Sequence, residues 1–142
     1  MTTRTASARY EGFGKTGKGH VSTQSGVLAD TPYSFNTRFG DEKGTNPEEL
    51  IAAAHASCFT MALSFALASA GHSDGTLQTE AAVKLEQDGP GFKVTRSDLT
   101  LTASVPGIDP DEFARIAADA KANCPISKLL NAEITLEHTL NQ

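Results

Sequence analysis

Short β-prone runs separated by glycines fill the first quarter of the chain. Alternating apolar and polar positions at Arg9–Phe13, His20–Gln24 and Tyr33–Phe35 predict three strands, with turns at the glycines between them. The next segment, Arg38–Gly44, is polar and bounded by glycine, which predicts a loop. The chain therefore begins with a small β region.

A long apolar helix is predicted next. Thr45 or Asn46 can cap it, Pro47 suits the first helical position, and Gly71 is a suitable residue for its end. The stretch from Leu50 to Ala70 is apolar on every side, so we expect the helix to be buried on every side. Because the remaining predicted elements are too small to cover it, the pattern also predicts a homodimer.

The second half of the chain alternates strands and helices. Strands are predicted at Gln78–Glu86, Phe92–Val105 and Ala132–Leu140. Helices are predicted to begin at Asp109, before an apolar stripe, and at Cys124, before a proline. The order is βββ-α-ββ-α-α-β, an α+β fold with a long buried central helix that carries a cysteine.

Composition narrows the class of protein. A length of 142 residues predicts a single domain over residues 1–142, and a net charge of −5 without a basic cluster argues against nucleic acid as a partner. The start, Met1–Ala6, lacks the apolar region of a secretory signal. Two cysteines and no export signal favour a cytoplasmic protein.

The uncharged stretch Leu50–Ala70 is also long enough to span a bilayer. It is rich in alanine, contains His55 and several serines, and has no strongly basic flank. We therefore predict a core helix of a soluble protein and no membrane association.

The two cysteines are the candidate reactive groups. Cys58 lies in the middle of the long helix, where a thiol is either inert packing or a nucleophile that needs a nearby cation. Residues 44 to 83 contain no lysine or arginine, so Arg38 is a candidate cation, although it could also be a surface arginine. Cys124 lies at a helix start, which lowers a thiol pKa, so by this local argument it is the better thiolate unless it only caps the helix.

Other polar residues allow further interpretations. Glu48 and Glu49 complement the positive end of the helix dipole, and either could also serve the chemistry. His55 and Cys58 share a helical face with zinc-like spacing, and Cys124 could join them. A zinc site is disfavoured because the sequence has neither CxxC nor HExxH.

Four segments together resemble the OsmC/Ohr family, in its osmotically inducible protein C branch. They are Phe35–Phe39, Gly44–Ile51, Ala54–Phe59 and Cys124–Ser127. The likeness extends over nearly the whole chain and includes the order of elements. It implies an intertwined homodimer with active sites at the subunit interface.

The resemblance also implies a thiol-dependent peroxidase for organic hydroperoxides and hydrogen peroxide, in response to oxidative or osmotic stress. Cys58 resembles the family's peroxidatic cysteine and Cys124 the resolving cysteine, which would form a disulfide with it. Arg38 and Glu48 match the active-site arginine and glutamate. This assignment makes Cys58, and not Cys124, the attacking thiol, and it requires no cofactor or metal.

Several points stay open at this stage. The family implies a dithiol reductant, possibly a lipoylated protein, and Phe39, Phe59 and Leu129 are candidates for contacts with an alkyl hydroperoxide. Glu48 could act in its own chain's site or in the partner's, and Glu49 could share its role. A general disulfide oxidoreductase and a non-catalytic module with structural cysteines are the alternative functions.

Overall fold

The computed structural model describes residues 2–141. Met1, which belongs to the start predicted to lack a secretory signal, and Gln142 lie outside the described residues. The chain divides into two compact units, one ending at Leu50 and the other starting at Ile51. Each unit contains both strands and helices, in agreement with the predicted α+β class. The single domain over residues 1–142 stays a prediction.

The first unit contains a three-stranded antiparallel sheet. Its strands β1 (Ala6–Glu11), β2 (Lys18–Thr23) and β3 (Thr31–Tyr33) are hydrogen-bonded in chain order. A short 3-10 helix, Gly14–Thr16, lies between β1 and β2. The three predicted strands are confirmed, although each begins two or three residues earlier than the sequence pattern indicated.

A short helix, α1 (Phe35–Phe39), follows β3 and corrects the prediction that a loop begins at Arg38. The helix is started by a capping box. The Thr37 N–H donates to Ser34 Oγ at 3.2 Å, and the Ser34 N–H donates to Thr37 Oγ1 at 2.7 Å. Arg38 therefore projects from the last turn of a helix.

The predicted long helix is α2 (Pro47–Ser69). Asn46 caps it, because the Glu49 N–H donates to Asn46 Oδ1 at 2.8 Å. Gly71 follows its end with φ at +96°, the left-handed conformation that commonly terminates helices. Both predicted ends are confirmed.

Only one stripe of α2 is buried within the chain. The buried residues recur every four positions: His55, Phe59, Leu63 and Leu67. Elsewhere on the helix, Met61 is 62% exposed and Phe65 is 68% exposed. The described residues therefore do not supply the cover that the sequence pattern predicted for the other faces.

The second unit adds a three-stranded mixed sheet. Strands β4 (Thr76–Asp88) and β5 (Gly91–Ser104) form an antiparallel hairpin, and β6 (Glu133–Asn141) pairs with β5 in parallel. The parallel connection contains α3 (Pro110–Asn123) and α4 (Pro125–Leu129). This crossover places the start of α4, and with it Cys124, in the core of the unit.

The core of the second unit combines α2, β5 and α3. On β5 the buried residues alternate, as expected for a strand with one face in the core. They are Ser97, Leu99, Leu101 and Ala103. Ser97 is thus a polar residue at a core position, and its hydroxyl requires a hydrogen-bond partner.

Candidate active site

Arg38 and Glu48 form a two-pronged ion pair in the first unit. Arg38 Nε donates to Glu48 Oε1 and Arg38 Nη2 donates to Glu48 Oε2, both at 2.8 Å. The hydrogen bond to Glu48 raises the pKa of Arg38 and exceeds the opposing effect of burial, so the guanidinium stays charged. A bidentate pair fixes the guanidinium plane as well as its position.

An aromatic cavity of about 190 Å³ adjoins this guanidinium. Its walls include Tyr10, Tyr33, Phe35 and Phe39, and the Arg38 guanidinium carbon lies 5.4 Å from the ring centre of Phe39. A cavity with apolar walls and one fixed cation suits a small organic molecule with a polar end.

The adjacent carboxylate, Glu49, has a different role. It accepts a hydrogen bond from Thr45 Oγ1 at 2.7 Å, and its N–H donates to the capping residue Asn46. Glu49 therefore contributes to the start of α2, whereas Glu48 holds Arg38. The geometry separates two carboxylates that the sequence left equivalent.

Cys58 and Cys124 are brought together in the second unit. Both are free thiols, and Cys58 packs against the buried cluster that contains Cys124. Cys58 is partly exposed, whereas Cys124 is completely buried. Cys124 also caps α4, since the Ser127 N–H donates to its sulfur at 3.5 Å.

The two thiols differ in acidity. Burial raises the pKa of Cys58, and the hydrogen bond from the Ile126 N–H only partly offsets it. Burial also raises the pKa of Cys124, but hydrogen bonds from the Ser127 N–H, the Cys58 thiol, the Ser127 hydroxyl and the Ile126 N–H together lower it. The pKa of Cys58 is thus raised and the pKa of Cys124 is lowered. This is the direction that the local argument from the helix start predicts for Cys124.

A completely buried imidazole lies close to this thiol pair. His55 Nδ1 is 2.6 Å from Ser97 Oγ, and His55 Nε2 is 2.8 Å from Ser127 Oγ. Burial lowers the pKa of His55, so the ring is neutral near pH 7. The spacing of His55 and Cys58 pointed only to a metal ligand. Neither Ser97 nor Ser127 could be identified from that spacing as a partner of His55. Their signal was positional: His55 continues the buried four-residue stripe of α2, and Ser97 continues the buried alternation of β5.

The hydrogen bonds of His55 concern the possible zinc site at His55, Cys58 and Cys124. Each ring nitrogen of His55 already has a serine hydroxyl as its partner. Among residues 2–141 no group of three or more histidine, cysteine, aspartate or glutamate side chains could hold a metal ion. His55 therefore belongs to a hydrogen-bonded cluster with Ser97 and Ser127.

Comparison with known proteins identifies the fold and its relatives. A family model described as OsmC-like protein matches residues 40–139. The chain belongs to the OsmC family. It is 54% identical to peroxiredoxin OsmC of Escherichia coli (strain K12) over 133 residues, which cover 94% of this chain and 93% of that protein.

More distant relatives of this OsmC-family chain come from the Ohr group. The organic hydroperoxide resistance protein OhrB of Bacillus subtilis (strain 168) is 28% identical over 122 residues, covering 84% of this chain and 88% of that protein. The crystal structure of OhrB of Bacillus subtilis matches with a TM-score of 0.70 over 99% of this chain and 98% of the other. A structure of an organic hydroperoxide resistance protein from Elizabethkingia anophelis, 27% identical, matches with a TM-score of 0.73 over 100% and 97%. The resemblance to the OsmC/Ohr family and the OsmC-like fold are thus confirmed.

The OsmC-family chain holds its expected site residues in two sets, the Arg38–Glu48 pair and the two thiols. Phe39 lines the aromatic cavity, and Leu129 is 74% exposed. Phe59 is completely buried in the core of the second unit, so the expectation that it contacts substrate was wrong. Its place in the four-residue stripe of α2 explains that burial.

Proposed function

We propose that this protein is a thiol-dependent peroxidase that reduces organic hydroperoxides and hydrogen peroxide through Cys58 and Cys124. The observation that carries the proposal is that a partly exposed thiol, Cys58, packs against the buried cluster that contains a second free thiol, Cys124. The relatives support it, because one is named a peroxiredoxin and another an organic hydroperoxide resistance protein. A thiol pair in contact can supply the two electrons that a peroxide requires.

Exposure supports the proposed roles of the two sulfurs. A peroxide can approach Cys58, which is partly exposed, but not Cys124, which is completely buried. Attack by Cys58 requires its thiolate, which forms when the Cys58 proton is transferred to the neighbouring, more acidic Cys124. Arg38, oriented by Glu48, is the cation that favours charge on Cys58, contributed by the same chain or by a partner chain.

The cycle balances without any further oxidant. The Cys58 thiolate attacks the terminal peroxide oxygen, the O–O bond breaks, and Cys58 becomes a sulfenic acid. The leaving alkoxide takes the proton held by Cys124 and departs as alcohol, or as water from hydrogen peroxide. The Cys124 thiolate then attacks the Cys58 sulfur, and the sulfenic hydroxyl leaves as water with a proton from solvent. The two thiols lose two electrons and the peroxide gains them.

An external dithiol completes the cycle by thiol–disulfide exchange. A small dithiol or a lipoylated protein fits this role, because each carries the second thiol that releases the mixed disulfide. Such turnover also requires a reducing compartment, which is the basis for proposing a cytoplasmic location.

The aromatic cavity beside Arg38 supports an organic substrate. Its aromatic side chains can accommodate an alkyl or aryl group, while the guanidinium faces the polar peroxide end. Hydrogen peroxide lacks that apolar group, so we expect lower kcat/KM for it than for an aryl hydroperoxide.

We further propose that a second copy of the chain covers the exposed faces of α2. This helix is long and apolar enough to cross a membrane by length and composition, and 22% of its most apolar stretch is buried within the chain. A second copy fits better than lipid because Ser57, Thr60 and Ser64 interrupt the apolar surface around Met61. Sedimentation at micromolar concentration tests this assembly; a monomer, or binding to neutral lipid vesicles, would contradict it.

Thiol counting after exposure to cumene hydroperoxide tests the function. The reduced protein should lose both free thiols, and one molecule of cumyl alcohol should form for each disulfide. Cys58→Ser should lower the consumption of peroxide by at least about a thousandfold, because no other exposed thiol can attack. Unchanged consumption in Cys58→Ser would remove Cys58 from the reaction.

The same assay separates the alternative functions. A non-catalytic module would keep both thiols, and a general disulfide oxidoreductase would lose them to a protein disulfide but not to peroxide. Cys124→Ser is the matched variant, since it should still form a sulfenic acid on Cys58 that dimedone traps. Absence of that adduct would contradict the assigned order of the two cysteines.

A further inference from the structure

A glycine in the central strand of the first unit leaves room for an aromatic ring. Gly19 on β2 is paired with Tyr10 on β1 and with Tyr33 on β3, so the three residues form one row across the sheet. A Cβ atom at Gly19 would lie 2.6 Å from Tyr33 Cε1 and 2.7 Å from Tyr33 Cζ. The Tyr33 ring therefore lies over the place that a side chain at position 19 would occupy.

The neighbouring Tyr10 ring is held in a similar way. Its hydroxyl donates to the carbonyl oxygen of Gly14 at 2.7 Å. A Cβ atom at Gly17 would overlap the Tyr10 ring, so this glycine also admits an aromatic side chain. The ring centres of Tyr10 and Tyr33 are 6.0 Å apart, with an angle of 56° between the ring planes, which is a favourable aromatic contact.

Tyr33 lies between two cavities of the first unit. The aromatic cavity beside Arg38 has a volume of about 190 Å³, and a second cavity has a volume of about 170 Å³. Both cavities have Tyr33 and Pro47 among their wall residues. The second cavity is mainly apolar, and its other apolar side chains are Ala8, Val21 and Leu50. Removal of the Tyr33 ring would therefore join the two cavities.

We propose that Tyr33, placed by Gly19, is a specificity-determining residue that limits the size of the organic group bound beside Arg38. Its ring closes the aromatic cavity on the side of the second cavity, so a bulkier group has to displace the ring in order to bind. That the bound molecule is a hydroperoxide rests on the proposed function, whereas the separation of the two cavities by Tyr33 does not.

Tyrosine fluorescence tests this separation without any turnover. Tyr10 and Tyr33 are the two tyrosines of the chain, which has no tryptophan, so the intrinsic emission comes from the walls of the aromatic cavity. Cyclohexanol and 1-adamantanol are non-absorbing alcohols of different bulk. Tyr33→Ala, in which Tyr10 still reports, should raise the affinity for 1-adamantanol relative to cyclohexanol about tenfold, because the two cavities become one.

Three further variants make this result specific to the ring. Gly19→Ala should lower the same affinity ratio about tenfold, since the displaced ring takes up cavity space. Tyr33→Phe keeps the ring and should keep the parent's ratio. Gly91→Ala is the matched control for an added methyl group, because the nearest atom to a Cβ at Gly91 is the Asp88 carbonyl oxygen at 3.9 Å. It should leave both affinities unchanged.

The outcomes that overturn the proposal are distinct. An unchanged ratio in Tyr33→Ala, including an equal loss for both alcohols, would overturn it whether or not Gly19→Ala folds. Equal changes in Tyr33→Phe and Tyr33→Ala would also overturn it, because the hydroxyl and not the bulk of the ring would then matter. The same holds if neither alcohol changes the emission of the parent or of Tyr33→Ala.

A second measurement applies the comparison to the reaction. In Gly19→Ala the ratio of kcat/KM for cumene hydroperoxide to that for hydrogen peroxide should fall about tenfold, since hydrogen peroxide has no organic group to exclude. An unchanged ratio in the folded variant would overturn the role of Tyr33 in specificity. Failure of the parent protein to consume either peroxide would instead reject the proposed function, while the binding of the two alcohols still tests the separation of the cavities.

Discussion

The polar clusters at the candidate sites, one in each unit, differ in charge and in exposure to water. In the first unit Arg38 and Glu48 keep full charges, and the arginine side chain is 35% exposed. In the second unit His55 is completely buried, neutral and hydrogen-bonded to two uncharged hydroxyls. The difference follows from solvation, because keeping a group charged costs little free energy where water reaches it and much more where it is buried.

This contrast separates two kinds of influence on the thiols. A guanidinium can stabilise developing negative charge directly, so we expect the Arg38–Glu48 pair to act on the attack of peroxide. Neutral donors such as the Ser127 N–H, whose nitrogen is 3.5 Å from the Cys124 sulfur, act at hydrogen-bond range, so we expect them to act on Cys124 alone. Variants in the two units should therefore alter different steps of the cycle.

The largest effect is expected from the charged pair. Arg38→Ala should slow the formation of the Cys58 sulfenic acid about a hundredfold, because the thiolate and the leaving oxygen lose their stabilising cation. Rapid mixing with cumene hydroperoxide and dimedone measures this step. The rate of the following disulfide formation should change much less.

Two further variants provide comparisons for the effect of Arg38→Ala. Glu48→Gln keeps one acceptor for the guanidinium and should cost about tenfold, since the two-pronged geometry is weakened. Arg9→Ala removes another arginine of the first unit, one that is half-exposed and paired with Glu11 at 3.2 Å, and should leave the rate unchanged. Equal losses for Arg38→Ala and Arg9→Ala would show that general charge, and not the fixed pair, matters.

A smaller effect is expected on the stability of the folded protein in mild acid, and it arises from the neutral cluster of His55, Ser97 and Ser127. Burial lowers the pKa of His55 below its ordinary value of 6.5, so in that range the folded protein binds fewer protons than the unfolded chain. The contribution of neutral His55 to stability is therefore complete above about pH 6.5 and is lost as pH falls through the folded pKa. Urea unfolding at a series of pH values measures this loss.

His55→Gln provides the comparison for that series, because glutamine can hydrogen-bond but does not titrate. Its free energy of unfolding should fall less between pH 7 and pH 5 than that of the parent. Parallel curves for the two proteins would mean that His55 does not titrate differently in the folded and unfolded states.

Much of the fold could be predicted from local patterns. The caps, the proline at the start of α2 and Gly71 at its end fixed the bounds of the longest helix, since these signals act within a few residues. The start of α3 at Asp109 could be predicted for the same reason. Helix α1 was missed because a capping box of Ser34 and Thr37 has no following apolar stripe to reveal it.

The candidate site was only partly readable in the same way. Residue type and position made Cys58, Cys124, Arg38 and Glu48 candidates but left each of them with a structural explanation. Only the resemblance to a family gave them roles. Glu48 and Glu49 were distinguished only by their partners, Arg38 and Thr45. Local sequence does not encode which of two adjacent carboxylates faces a given cation.

By itself the sequence determined the helix and strand types, the position of each thiol along the chain and the apolar character of α2. Tertiary structure alone decided that His55 meets Ser97, 42 residues away, and Ser127, 72 residues away. It also decided that Cys124 is buried while Cys58 is partly exposed. Capping and periodicity act between near neighbours, whereas pairing of buried polar groups depends on which distant elements the core brings within about 3 Å.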